Sequence, residues 1–206
     1  MSELLSRFRM TDIAAWPEAL QAHAWRIPWR SLAVAKDPET GTLLPVDPVP
    51  ETAPQDVMPK LTIKSWQDGG RLRLIPAGMP LEPAVRARLA TPTVQQLRVL
   101  QAWDDVDAPP LLHLFPFTDM SHVTEARFMC SGGTIEPVST CARNRLLPAS
   151  TDITLLAEAV VTAMPSLGAF VLQIAIAPDG VPRILDINPG LSPTDLAELK
   201  PKDAAA

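Results

Sequence analysis

At 206 residues the chain is long enough to bury its own core, as one domain or two small lobes, and 47% hydrophobic with 20% charged residues excludes wholesale disorder. Twenty-three prolines against nine glycines exclude one long helical bundle, and a net charge of −5 argues against bulk nucleic-acid binding. No apolar run approaches the ~20 residues of a membrane helix, and MSELLSRFRM carries no apolar secretory core, so the expectation is a cytoplasmic protein without nucleic-acid or membrane partners.

In chain order, Ser2 caps a helical turn carrying Leu4, Leu5 and Phe8, and Pro17 opens a second short helix through Ala19 and Leu20. Trp16, Trp25 and Trp29 are expected as packing anchors, because large rings contribute most when buried. Ser31 to Ala35 reads as a strand. Residues 45–59, PVDPVPETAPQDVMP, hold five prolines in fifteen positions and read as an extended connection, the best candidate boundary. KLTIKSW and RLRLI flank Gln67-Asp68-Gly69-Gly70 and predict a hairpin. Leu81, Val85 and Leu89 recur at helical spacing behind Pro83, and Thr91-Pro92 starts a further helix burying Val94, Leu97, Leu100 and Trp103. Lys60 to Arg98 contains seven basic and two acidic residues, a local +5 that fits either a solvated face or a lobe that attracts phosphate.

The second half is more regular. LLHLFPF (111–117) predicts a strand, and VTEARFMC (123–130) with IEPVST (135–140) predicts a hairpin around Ser131-Gly132-Gly133-Thr134. Ile153, Leu156, Ala157, Val160, Val161 and Met164 follow the spacing of an amphipathic helix. FVLQIAIA and VPRILDIN flank Pro178-Asp179-Gly180 as a last hairpin. The resulting class is α+β, antiparallel hairpins packed with helices. Its segments are 1–44, helix and strand; 45–59, the Pro-rich connection; 60–109, a small basic lobe; and 110–206, a C-terminal lobe.

A two-residue Asp179-Gly180 turn in the last hairpin sets Gln173 opposite Asp186 and Val171 opposite Asn188. Side chains alternate with period two, so Gln173, Asp186 and Asn188 converge on one side, with Leu172, Ile174, Leu185 and Ile187 on the core side. A one-residue bulge would disturb this register. A carboxylate and an amide two apart on a strand are hard oxygen ligands suited to magnesium, or else polar residues serving the Pro189-Gly190 turn. Cys130, Cys141 and three dispersed histidines offer no zinc-type grouping.

With these residues in place, GAFVLQIAIAPDGVPRILDINPGLSPTD resembles the closing hairpin of the ATP-grasp superfamily, whose last strand ends in Glu/Asp-x-Asn-Pro. TEARFMCSGGTIEPVSTCAR resembles that superfamily's strand pair carrying Glu-x-Arg, and LLHLFPFTDM the stretch before it, so three blocks in order cover roughly residues 110–196. The local flavour is that of the cell-division-cycle type.

The resemblance implies ATP and Mg as cofactors, with Asp186 and Asn188 holding the metal. Arg127 would contact the phosphates or the carboxylate being activated, a task suited to its paired donors; otherwise it is a strand arginine paired with Glu125. Lys64 would grip the phosphates, or be a sheet-edge lysine; Arg143 and Arg145 offer further phosphate contacts, or are exposed turn residues. Gln173 stands where the family usually carries Asp or Glu, so one anionic ligand is missing. The implied activity is ATP-dependent ligation of a small-molecule or peptide carboxylate to an amine or similar nucleophile, through an acyl phosphate. The alternatives are a degenerate module that binds nucleotide or a protein partner without catalysis, and a structural or assembly protein.

Overall fold

The structure is a computed structural model that describes residues 3–37, 39–40, 42–62, 64–65, 74–90, 109–138 and 147–190. The elements up to residue 65 are α1 (Glu3–Thr11), α2 (Glu18–Gln21), β1 (Arg30–Lys36), β2 (Leu43–Pro45), β3 (Val57–Leu61) and β4 (Lys64–Ser65). Then follow α3 (Leu81–Leu89), β5 (Leu111–Pro116), β6 (Thr124–Ser131) and β7 (Thr134–Pro137). The last are α4 (Thr151–Ala163), β8 (Phe170–Ile176) and β9 (Pro182–Pro189). Two antiparallel sheets with helices make the α+β class expected from sequence. The described residues form two compact units, one within Pro28–Thr118 and one within Ser2–Ile27 and Asp119–Glu198. This division cuts through the predicted segment 1–44 and puts the Pro-rich stretch 45–59 inside the first unit. No helix among the described residues is long and apolar enough to cross a membrane.

In the first unit the strand order is β2-β1-β5-β3-β4. One face gathers Leu32, Val34, Val57, Leu61, Leu112 and Leu114, all fully buried, and Leu81, Val85 and Leu89 of α3 are buried at the spacing read from sequence. The Pro-rich stretch is not wholly irregular, because Pro45 ends β2 and Pro59 sits within β3. Val57 exchanges both backbone hydrogen bonds with Ile75 at 2.9 Å, so its polar groups point away from β5. Pro59, two residues on, faces the same way, and its missing N–H removes nothing from the β3–β5 ladder. The predicted strand 60–66 is broken instead: Leu61 pairs with Lys64, so the chain already reverses between them. The turn expected at 67–70 and the helix expected after Thr91 lie outside the described residues.

In the second unit the order is β7-β6-β8-β9. Gly132 and Gly133, at φ 56° and 82°, make the two-residue turn between β6 and β7 that their sequence requires. Ala126, Phe128 and Cys130 of β6, with Phe170, Leu172 and Ile174 of β8, pack against Ile153, Leu156, Ala157 and Val160 of α4. Ser150 caps α4 by accepting from the Ile153 N–H at 3.4 Å. Val161, expected in that apolar stripe, is exposed, since it lies a turn-third away from Val160. Trp16 is buried and donates its indole N–H to the Thr11 carbonyl at 3.0 Å, whereas Trp29, expected as an anchor, is exposed. Arg7 of α1 donates to the carbonyls of Leu167, Ala169 and Gly190, tying the helix to the start of β8 and the end of β9.

Candidate functional site

The β8–β9 hairpin differs from the expected one at its tip. Gly180, at φ 77°, donates to the Ala177 carbonyl at 2.9 Å, closing a three-residue loop rather than a two-residue turn. Ile176 therefore faces Pro182 and Ile174 faces Ile184, one residue out of the expected register. A bulge at Leu185 then absorbs the difference. Beyond it Gln173 faces Asp186 and Val171 faces Asn188, as the sequence reading had them. The two irregularities cancel where the polar residues stand. They do not cancel for the core: Leu185 is only half-buried, and Ile184 takes the core position assigned to it.

Arg127 of β6 is the direct partner of Gln173, which is the direct partner of Asp186, so three polar side chains form a row across three strands. Glu125 lies two residues from Arg127 on the same face and accepts from Gln173 Nε2 at 3.1 Å. The carboxylate of Asp186 accepts from the Ile187 N–H at 3.1 Å and from Asn188 Nδ2 at 3.4 Å. All five residues are half-buried.

A sixth residue joins them that sequence reasoning missed. Ala24 forms an isolated parallel bridge to Ile184: the Trp25 N–H donates to the Ile184 carbonyl at 2.7 Å, and the Ile184 N–H to the His23 carbonyl at 2.8 Å. This short pairing extends the sheet beyond β9 and delivers Arg26 into the field of Asp186 and Glu125. Burial pushes the Arg26 guanidinium down to about 10, against the pull of those two carboxylates, so it stays charged at neutral pH. No motif marks Arg26, and a parallel bridge across 160 residues leaves no periodicity to read.

The face carries two guanidinium groups, two carboxylates and two amides. Among the described residues no group of three or more His, Cys, Asp or Glu side chains gathers, so a cation here would rest on one carboxylate and amide oxygens. Asp186 and Asn188 are hard donors of the kind magnesium takes, with Asn188 here turning its Nδ2 and not its oxygen to the carboxylate, while Arg26 and Arg127 fit phosphate oxygens. Lys64 lies in the first unit, on β4 opposite Leu61, and Arg143 and Arg145 fall outside the described residues.

No family model matches the chain, and no curated protein matches it significantly. Among solved structures, C-terminally truncated Cdc123 from Schizosaccharomyces pombe is 16% identical, with 90% of this chain and 85% of that one covered and a TM-score of 0.50. The D-cycloserine synthetase DcsG is 13% identical, covering 93% of this chain and 66% of its own, at a TM-score of 0.47. The ATP-grasp ligase PsnB, solved with a minimal precursor, Mg and ADP, is 13% identical, covering 95% and 60%, at 0.42. The chain thus spans 66% and 60% of the lengths of these two enzymes, under two thirds of each. At such identities the likeness is one of fold alone: the chain shares the fold of truncated Cdc123.

Proposed function

We propose that this chain binds Mg-ATP on the polar face of the β6–β8–β9 sheet. The observation that supports the reading is the row Arg127–Gln173–Asp186, joined by Asn188 and Arg26, which sets hard oxygen donors beside guanidinium groups. Asp186 and Asn188, with the Gln173 amide oxygen, hold the cation; Arg26 and Arg127 hold the phosphates. When bound, the magnesium neutralises phosphate charge.

The ligase reading takes this site one step further, to a small-molecule or peptide carboxylate that Arg127 steadies for phosphorylation and transfer to an amine. The second reading, nucleotide binding in the service of a protein partner without turnover, is favoured by Gln173. A neutral amide in place of an acid leaves one carboxylate, Asp186, for ligation, which suits one divalent ion better than the two used in many phosphoryl transfers.

Thermal unfolding with ATP in magnesium and in EDTA tests the core of the proposal. Magnesium-dependent stabilisation of about 2.7 kcal/mol is expected at a hundred times Kd. No shift at millimolar nucleotide, with Asp186→Ala indistinguishable from the parent protein, would overturn it. ADP release on addition of amino-acid or peptide carboxylates separates ligation from binding alone.

A further inference from the structure

We infer that Glu125 is a positioning residue that makes Gln173 an oxygen ligand for the cation. The inference rests on the Mg-nucleotide reading of the same face and assigns a task to a carboxylate that the reading leaves unused.

An amide side chain has an accepting oxygen and a donating NH2 on one carbon, and in most surroundings either end can face a neighbour. A carboxylate removes the choice, because it only accepts. Gln173 Nε2 lies 3.1 Å from Glu125 Oε2, and the flipped amide would set two oxygens against each other at that distance. Glu125 therefore fixes the NH2 toward β6 and turns the amide oxygen away from itself. On the other side of Gln173 stands its β9 partner Asp186, with Asn188 beside it. The lock is geometrically secure, because Glu125 and Gln173 project from one face of adjacent paired strands, at diagonal positions. Hydrogen-bond partners behind a ligand commonly set its orientation and its basicity. Here the carboxylate that the first strand of the hairpin lacks is present one strand away, and it acts on the cation through the amide instead of binding it.

The experiment is isothermal titration of ATP at a series of magnesium concentrations, on the full chain, for four proteins: the parent, Glu125→Gln, Gln173→Glu, and the double variant that exchanges the two. Glu125→Gln frees the Gln173 amide to take either orientation, and the magnesium requirement for ATP binding is expected to rise about tenfold or more. Gln173→Glu alone sets two carboxylates together and is expected to bind magnesium in a strongly pH-dependent way. The exchange rebuilds the hydrogen bond with its polarity reversed and is expected to restore the magnesium requirement to the parent level or below it. Circular dichroism and the apo midpoint report whether each variant folds, and the exchange serves as the folded control for the singles. An unchanged magnesium requirement in folded Glu125→Gln overturns this inference while leaving the nucleotide site intact. Absence of magnesium-dependent ATP binding in the parent overturns both.

Discussion

Along β6, β8 and β9 alternate residues meet two different environments. On one side Ala126, Phe128, Leu172, Ile174, Ile184 and Ile187 are at most 2% exposed and packed against α4. On the other side Glu125, Arg127, Gln173, Asp186 and Asn188 are half-buried, with Gln173 bonded to Glu125 and Asn188 to Asp186. The first face is apolar volume that stabilises the unit by leaving water. The second holds charges and amides that gain little from folding, since partly buried ions lose hydration about as fast as they gain partners. Strands that carry both faces therefore separate stability from ligand chemistry residue by residue.

The separation breaks most visibly at Phe128. Its ring is fully buried, so Phe128→Ala should cost about 3–5 kcal/mol in denaturant unfolding. The magnesium dependence of ATP binding by the molecules that remain folded should stay the same. Asp186→Ala should do the reverse: the apo stability should move by less than about 1 kcal/mol, while the Mg-ATP stabilisation disappears. If Asp186→Ala destabilised the apo protein as Phe128→Ala does, the polar face would be part of the scaffold.

Much of the core face was legible from sequence because burial follows simple periods. The stripe Ile153, Leu156, Ala157 and Val160 and the Gly132-Gly133 turn stand as expected. The polar register survived for a subtler reason: the longer loop at 178–180 and the bulge at Leu185 displace the strand by one residue in opposite senses. The same pair of displacements exchanged Leu185 for Ile184 in the core, which no period-two argument could reveal. Arg26 was illegible because what places it is backbone pairing across the whole second unit, and pairing partners carry no local mark. Pro59 misled in the opposite direction, because a proline is harmless on the side of a strand where its N–H would have had no β5 partner.

Arg26 sharpens the comparison because it is charged, partly buried and within the field of Asp186 and Glu125. With its folded-state value lowered to about 10, its charged form is disfavoured by folding at every pH below that. Arg26→Met should therefore leave the apo protein as stable or more stable, by up to about 1–2 kcal/mol, while weakening ATP binding. The sign is checkable by pH. Between about 10 and the unfolded value the unfolded chain binds the extra proton, so the parent gains stability relative to Arg26→Met as pH rises there. A parent that instead lost ground above pH 10 would mean that attraction to Asp186 and Glu125 outweighs burial.

The smallest effect tests the core face alone. Cys130 lies on the apolar side, cross-strand from Phe170 and two residues from Phe128, and burial pushes its thiol up to about 11. A buried neutral thiol is a poor nucleophile, so alkylation of the peptide containing Cys130 should track global unfolding at pH 8. The raised value also has a stability consequence: below the ordinary thiol range the contribution is complete, and it is lost as pH climbs toward 11, because the unfolded chain ionises first. Cys130→Ala should remove that slope between pH 9 and 11, at a modest cost in packing. Mg-ATP should slow the labelling of Cys130 only by the factor that it slows unfolding. Protection beyond that factor would mean that the ligand reaches through the sheet to the core, and the two faces would no longer be independent.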